Sequence, residues 1–93
     1  MPKYLIERTL PGAGELSQQQ LHDISAKSNA VFSDMQRNGT PMHWIESFVT
    51  DNSLHCVYVA PNAEAVREHA RLGGFPCDCV TEVSGVIDPS TGE

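Results

Sequence analysis

Alternating polar and apolar side chains open this chain with the pattern of a strand. In PKYLIERTL, residues 2–10, the alternation has the period of two that a strand with one buried face requires. Three later segments have the length of a strand and are rich in β-branched and aromatic side chains. The pattern therefore predicts four strands, at residues 2–10, 42–50, 53–60 and 79–87.

Two stretches between these strands carry the spacing of three and four that is typical of a helix. The first helix is predicted at 17–36, because Ser17 and Gln20 have capping-box spacing and Asn38-Gly39 supplies an end. One face of this helix consists of Leu21, Ile24, Ser28, Val31 and Met35.

The second helix is predicted at 62–72, between Asn62 as the N-cap and the Gly73-Gly74 pair. The resulting order, β-α-β-β-α-β, is that of a ferredoxin-like fold. This is an α+β fold with a four-stranded antiparallel sheet and both helices on one face. Along or beside one face of the second helix lie Ala65, Val66, His69, Ala70 and Leu72.

Such a sheet leaves its other face bare, and bare apolar sheet is unfavourable in water. We therefore expect a homodimer that resembles a dimeric α+β barrel, with a cavity between the two sheets. The length of 93 residues predicts a single ferredoxin-like domain, residues 1–93, in which 88–93 form a loose tail.

The hairpin between the second and third strands suggests a register. With Asp51-Asn52 as a two-residue turn, Ser47 faces Cys56 and Ile45 faces Tyr58. In the last strand, Ser84-Gly85 has the character of a bulge. The face predicted to pack against the helices carries Trp44, Phe48, Val57 and Val59. The face predicted to line the cavity carries His43, Ser47, Cys56 and Tyr58.

Charge and composition exclude several classes of partner. The net charge is −6 and the six basic residues are spread singly, so no basic patch for nucleic acid or an anionic membrane is visible. No apolar run approaches the length of a membrane span, and the first residues do not resemble a secretion signal. We expect a cytoplasmic protein whose three cysteines are thiols, since three cannot all pair within one chain.

Thiols and imidazoles are the candidate chemistry. Cys56 is either a small buried hydrophobic residue or a metal ligand with His43 as its neighbour. His69 is either a partner of its helix dipole or a second ligand. Cys77-Asp78-Cys79 is half of a zinc-type cluster, with no second cysteine pair in the chain, and is an accessory site or incidental.

Three stretches resemble a small bacterial family of nickel-binding proteins, much of it described as a domain of unknown function. They are YLIERTLPGAG, SFVTDNSLHCVYVAPNAEAVREHARLGGFP and VSGVIDP, and the resemblance covers residues 2–89. It implies a ferredoxin-like homodimer and, as in some relatives, nickel bound by histidine, cysteine and carboxylate side chains. Carried over by position, the implied metal ligands are His43, Glu46, Cys56 and His69. Glu46 stands where relatives often have histidine, and the hairpin register points it away from His43.

Mixed imidazole, thiolate and carboxylate ligands suit zinc and copper as well as nickel. Two other classes of function stay open beside metal binding for sequestration or sensing. One is a small-molecule enzyme or ligand-binding barrel, in which Tyr58, His43, Cys56 and Glu7 line an organic-ligand cavity. The other is a non-catalytic interaction module. No nucleophile-elbow or protease motif flanks the cysteines, so only the fold analogy supports an enzyme.

Overall fold

Six regular elements make up the fold in the computed structural model, which describes residues 1–93. In chain order they are β1 (Lys3–Thr9), α1 (Gln18–Arg37), β2 (His43–Val49), β3 (Ser53–Val59), α2 (Ala63–Gly73) and β4 (Cys79–Glu82). The strands form one antiparallel sheet in the order β2-β3-β1-β4. The predicted ferredoxin-like α+β fold is confirmed. No helix combines the length and apolar character that crossing a membrane requires.

Both helices begin and end where their capping residues predict. The Ser17 side chain accepts a hydrogen bond from the backbone N–H of Gln20, whose side chain accepts one from the backbone of Ser17. Asn62 caps α2 by accepting from the N–H of Ala65. At the other end of α2, Gly74 adopts a left-handed conformation with φ of 69°, which suits glycine.

The predicted choice of sheet faces is wrong for β3 and for the part of β2 next to the turn. Cys56 and Tyr58 are buried beneath the helices, whereas Val57 and Phe48 lie on the opposite, open face. The pairing of β1 with β3 sets this choice, because Ile6 faces Cys56 and contributes a large apolar side chain to the same side. The two-stranded hairpin alone does not carry that information. The core beneath the helices includes Tyr4, Ile6, Val31, Phe32, Met35, Cys56, Tyr58 and Val66.

A β-bulge at Ile45 divides the hairpin into two registers. Ser47 pairs with Cys56, as the two-residue turn predicts, but the pairing slips by one residue between Trp44 and Glu46. Trp44 therefore faces Tyr58, which corrects the predicted pairing of Ile45 with Tyr58. The bulge keeps Trp44 on the helix-covered face, where it stacks on Phe32 of α1.

The last strand is shorter than predicted. β4 ends at Glu82, and one further backbone hydrogen bond joins the N–H of Val83 to the carbonyl of Lys3. Since β1 begins at Lys3, no strand remains for later residues to pair with. The predicted bulge at Ser84-Gly85 consequently lies outside the sheet, in a tail that forms a 3-10 turn at Pro89–Gly92.

Candidate functional site

The four metal ligands implied by the family resemblance fall into two pairs on opposite faces of the sheet. His43 and Glu46 form an outer pair, exposed on the open face of edge strand β2. The bulge at Ile45 brings both onto this face, which an unbroken strand would not do. Cys56 and His69 form an inner pair, buried between sheet and helices. One ion in one chain therefore cannot contact all four side chains in this conformation.

His69 of α2 is held within an aromatic cluster. Its ring stacks on Phe32 at a centroid distance of 3.9 Å and meets Tyr58 edge-on at 5.4 Å. Nε2 lies 3.2 Å from the hydroxyl of Ser28, while Nδ1 is fully buried and has no hydrogen-bond partner. Burial lowers the pKa of His69 to about 4, helped by the charge of Arg8, so the imidazole is neutral near pH 7.

Arg8 of β1 brings a positive charge to the inner pair. Its side chain is only 3% exposed, and its amino groups donate to the Tyr58 hydroxyl at 3.0 Å and the Pro76 carbonyl at 2.5 Å. Burial acts to lower the pKa of Arg8, but Tyr58 and Cys56 outweigh it and raise that pKa. The guanidinium therefore stays charged beside Cys56.

The open face brings together further side chains of types that can ligate a metal ion, and the sequence alone did not reveal that they are neighbours. His55 of β3 is directly opposite Glu7 of β1, and Glu7 is directly opposite Cys79 of β4. These three residues form a cross-strand row, in which His55 Nδ1 lies 4.0 Å from a carboxylate oxygen of Glu7. The order of the strands is the signal that reveals this row, because it joins residues far apart along the chain.

The donor sets of the two faces differ in how well they fit a metal ion. No three histidine, cysteine or acidic side chains of one chain lie close enough together to hold one. The inner pair offers the free Nδ1 of His69, but a divalent cation there would lie beside the charged Arg8. The outer pair is exposed, and the cross-strand row offers the exposed carboxylate of Glu7 and thiol of Cys79 beside the half-buried imidazole of His55. The donors of the open face therefore fit a metal ion better.

The Cys77-Asp78-Cys79 stretch does not act as one chelating unit. Hydrogen bonding with the side chain of Thr9 and with its backbone N–H, which lies 2.6 Å away, lowers the pKa of the Asp78 carboxyl, and the charge of Arg8 adds to this. Cys77 packs partly buried against the core, whereas Cys79 is exposed in the cross-strand row. The aspartate thus fixes the entry into β4, and only Cys79 faces the other donors.

A cleft of about 420 Å³ lies between α1 and the helix-covered face of the sheet. Cys56 and Tyr58 line it, whereas His43 and Glu7, the other two residues predicted to line an organic-ligand cavity, do not. The expected cavity lay between the sheets of two subunits, whereas this cleft lies within one chain. Its wall also includes Arg8, Leu21, Ile24, Trp44 and Leu54.

The fold defines a small ferredoxin-like α+β protein, and its open sheet face carries nitrogen, oxygen and sulfur donors of the kinds that borderline metal ions accept. The family model of the SCO4226-like nickel responsive proteins matches residues 4–83, and the chain belongs to this family. The crystal structure of SCO4226 from Streptomyces coelicolor A3(2) superposes with a TM-score of 0.74 at 20% sequence identity. The match covers 91% of this chain and 99% of that one. No curated protein sequence matches the chain.

Proposed function

We propose that this chain forms a homodimer that binds a divalent transition metal, nickel, for sequestration or sensing. Membership of a nickel-responsive family supports the choice of metal. The observation that carries the proposal is the cross-strand row, because it sets imidazole, carboxylate and thiol side chains side by side on an exposed face. Three free thiols also suit the reducing cytoplasm, where we expect the protein to act.

The proposed ligands come from the open face of the sheet. They are drawn from the outer pair, His43 and Glu46, and from the cross-strand row, His55, Glu7 and Cys79. Such ligands bind zinc and copper as well, and copper has the higher intrinsic affinity. Histidine must be neutral and cysteine deprotonated to ligate, so nickel affinity should fall as the pH drops below about 6.

Apolar side chains on the same face support self-association. Ile45 and Phe48 are 53% and 54% exposed, and Leu5 and Val57 continue the apolar surface towards the middle of the sheet. Two copies packed sheet to sheet would bury this surface and bring two sets of donors to one interface. The metal would then be shared between subunits. Metal binding would in this way favour assembly of the dimer.

Nickel titration calorimetry on metal-free protein tests the ligand assignment. We expect His55→Ala and His43→Ala each to weaken nickel binding at least about tenfold, since even the loss of an outer-shell partner costs roughly 10–100-fold. His22→Ala is the matched control. His22 is an exposed histidine on α1, away from the open face, and its ring lies near the carboxylate of Asp23 only. This control should bind nickel as the wild type does.

The inner pair provides the competing assignment and is tested in the same titrations. We expect Cys56→Ser and His69→Ala to leave nickel affinity within about twofold if the protein remains folded. If these two variants lose affinity while the open-face variants keep it, the ligands are Cys56 and His69 instead. If the wild type itself binds no nickel, the proposed function is wrong.

A further inference from the structure

We propose that the cleft between α1 and the sheet binds a small organic carboxylate with an apolar body, held at its carboxylate by Arg8. This inference does not depend on metal binding, because the cleft lies on the opposite side of the sheet from the proposed ligands. It rests on the burial of the Arg8 guanidinium and on the apolar side chains that line the rest of the cleft.

Arg8 is a buried cation with no carboxylate in ion-pair contact, although its charge helps to lower the pKa of the Asp78 carboxyl nearby. It lines the cleft, is only 3% exposed, and takes part in none of the ion pairs of the chain. A buried charge is costly unless it is paired, and hydrogen bonds to neutral groups compensate for only part of that cost. A bound anion would supply a close counter-charge that Asp78, which accepts a hydrogen bond from the N–H of Thr9, does not supply.

The guanidinium keeps a donor for such an anion. Its two amino groups are occupied by Tyr58 and Pro76, and Cys56 also lies beside the guanidinium, but Nε donates to no oxygen or nitrogen of the protein. His69 Nδ1 is the only fully buried side-chain nitrogen or oxygen without a partner, so Nε of Arg8 is not sealed off. The Tyr58 hydroxyl, 3.0 Å from the guanidinium, offers a second polar contact at the same end of the cleft.

The rest of the cleft suits an apolar body. Leu21 and Ile24 of α1 are only half-buried and face Trp44 and Leu54 of the sheet across the space. A volume of about 420 Å³ falls within the range of roughly 300–1,000 Å³ that is typical of small-molecule sites. Filling it would remove this apolar surface from water and favour binding.

The charges at the cleft favour a carboxylate over an amine or a multiply charged phosphate. Lys27 adds a second cation, with its ammonium 5.6 Å from the Phe75 ring centroid, and Asp23 is the only acidic lining residue. The planar fork of arginine matches a carboxylate well. A phosphate would carry more charge than this single buried guanidinium neutralises, and most of the wall is apolar.

Calorimetric titration with decanoate tests the proposal, with decan-1-ol as the uncharged probe of the same length. Both titrations contain EDTA, so that metal binding plays no part. We expect one decanoate per chain, and Arg8→Met should weaken decanoate binding at least about tenfold while changing decanol binding little. This follows because the loss of a hydrogen bond between two charged groups lowers affinity by at least about a factor of ten. A dissociation constant for decanoate above about 1 mM overturns the proposal, and so does a dissociation constant that is unchanged in Arg8→Met.

A second variant tests the place of binding without altering Arg8. Leu21→Trp fills the cleft from α1, and we expect it to abolish the binding of decanoate and of decanol. Ala26→Trp is the matched control, since Ala26 is exposed on α1 and does not line the cleft. Circular dichroism establishes that each variant is folded. Unchanged decanoate binding in folded Leu21→Trp contradicts the assignment to this cleft, even if Arg8→Met fails to fold.

Discussion

At the residue scale, the type of a side chain says less about its function than the residues around it do. Cysteine and histidine at positions 56 and 69 attract attention as ligands, yet their surroundings decide what they do. His69 meets Phe32 and Ser28 from α1, and Cys56 lies near Arg8 from β1. These partners are distant in the sequence, so spacing along the chain does not reveal them. Arg8 itself has no motif around it, and only its burial makes it conspicuous.

The buried His69 should make the stability of the metal-free protein depend on pH. The unfolded chain takes up a proton near pH 6.5, whereas the folded chain resists it until about pH 4. Stability should therefore be highest above pH 6.5 and fall by up to about 3 kcal/mol as the pH drops to about 4. Urea unfolding in EDTA measures this. His69→Phe should lose that part of the pH dependence, and the exposed His22→Gln should keep it. An unchanged profile in His69→Phe contradicts the prediction.

At the element scale, local patterns predict the helices well and the strands less completely. Both helices begin within one residue of their predicted starts, because a cap is a short-range interaction that the sequence displays. The bulge at Ile45 and the early end of β4 depend on which backbone lies alongside. The bulge matters for function, since it moves His43 and Glu46 onto one face. A strict alternation would have separated them.

The N-cap of α2 gives a quantitative test at this scale. Asn62→Ala removes the acceptor for the N–H of Ala65, 2.8 Å away, and should lower the free energy of unfolding by about 1 kcal/mol. Asn29→Ala is the matched control, because Asn29 is exposed within α1 and makes no side-chain hydrogen bond. It should be neutral or slightly stabilising. Urea unfolding at neutral pH compares the two, and an equal loss in both variants contradicts the capping role.

At the scale of the whole molecule, the fold class follows from the order of elements, but the roles of the two sheet faces do not. Four strands and two helices in this order leave few arrangements. Which face the helices cover depends on all four strands together, and β1 settles it through Tyr4 and Ile6. The consequence for the site is large. Cys56 moves under the helices, while Glu7, His55 and Cys79 become neighbours on the open face.

The open face also leads to a prediction about assembly. If two copies pack through it, sedimentation should give about twice the 10.2 kDa mass of one chain. Phe48→Gln should weaken this association about tenfold or more, since burying such a side chain contributes roughly 1.5–3 kcal/mol. Leu72→Gln is the matched control, because Leu72 is 49% exposed, close to the 54% of Phe48, but lies on α2.

Nickel titration of the same two variants separates a shared site from one held within each chain. Ligands from two copies meet only in the dimer, so Phe48→Gln should lose nickel affinity as the protein is diluted and dissociates, and Leu72→Gln should not. If Phe48→Gln sediments as a monomer and still binds nickel as tightly as the wild type, each chain holds its own metal. If the wild type sediments as a monomer at all concentrations, the open face is not the interface of a homodimer.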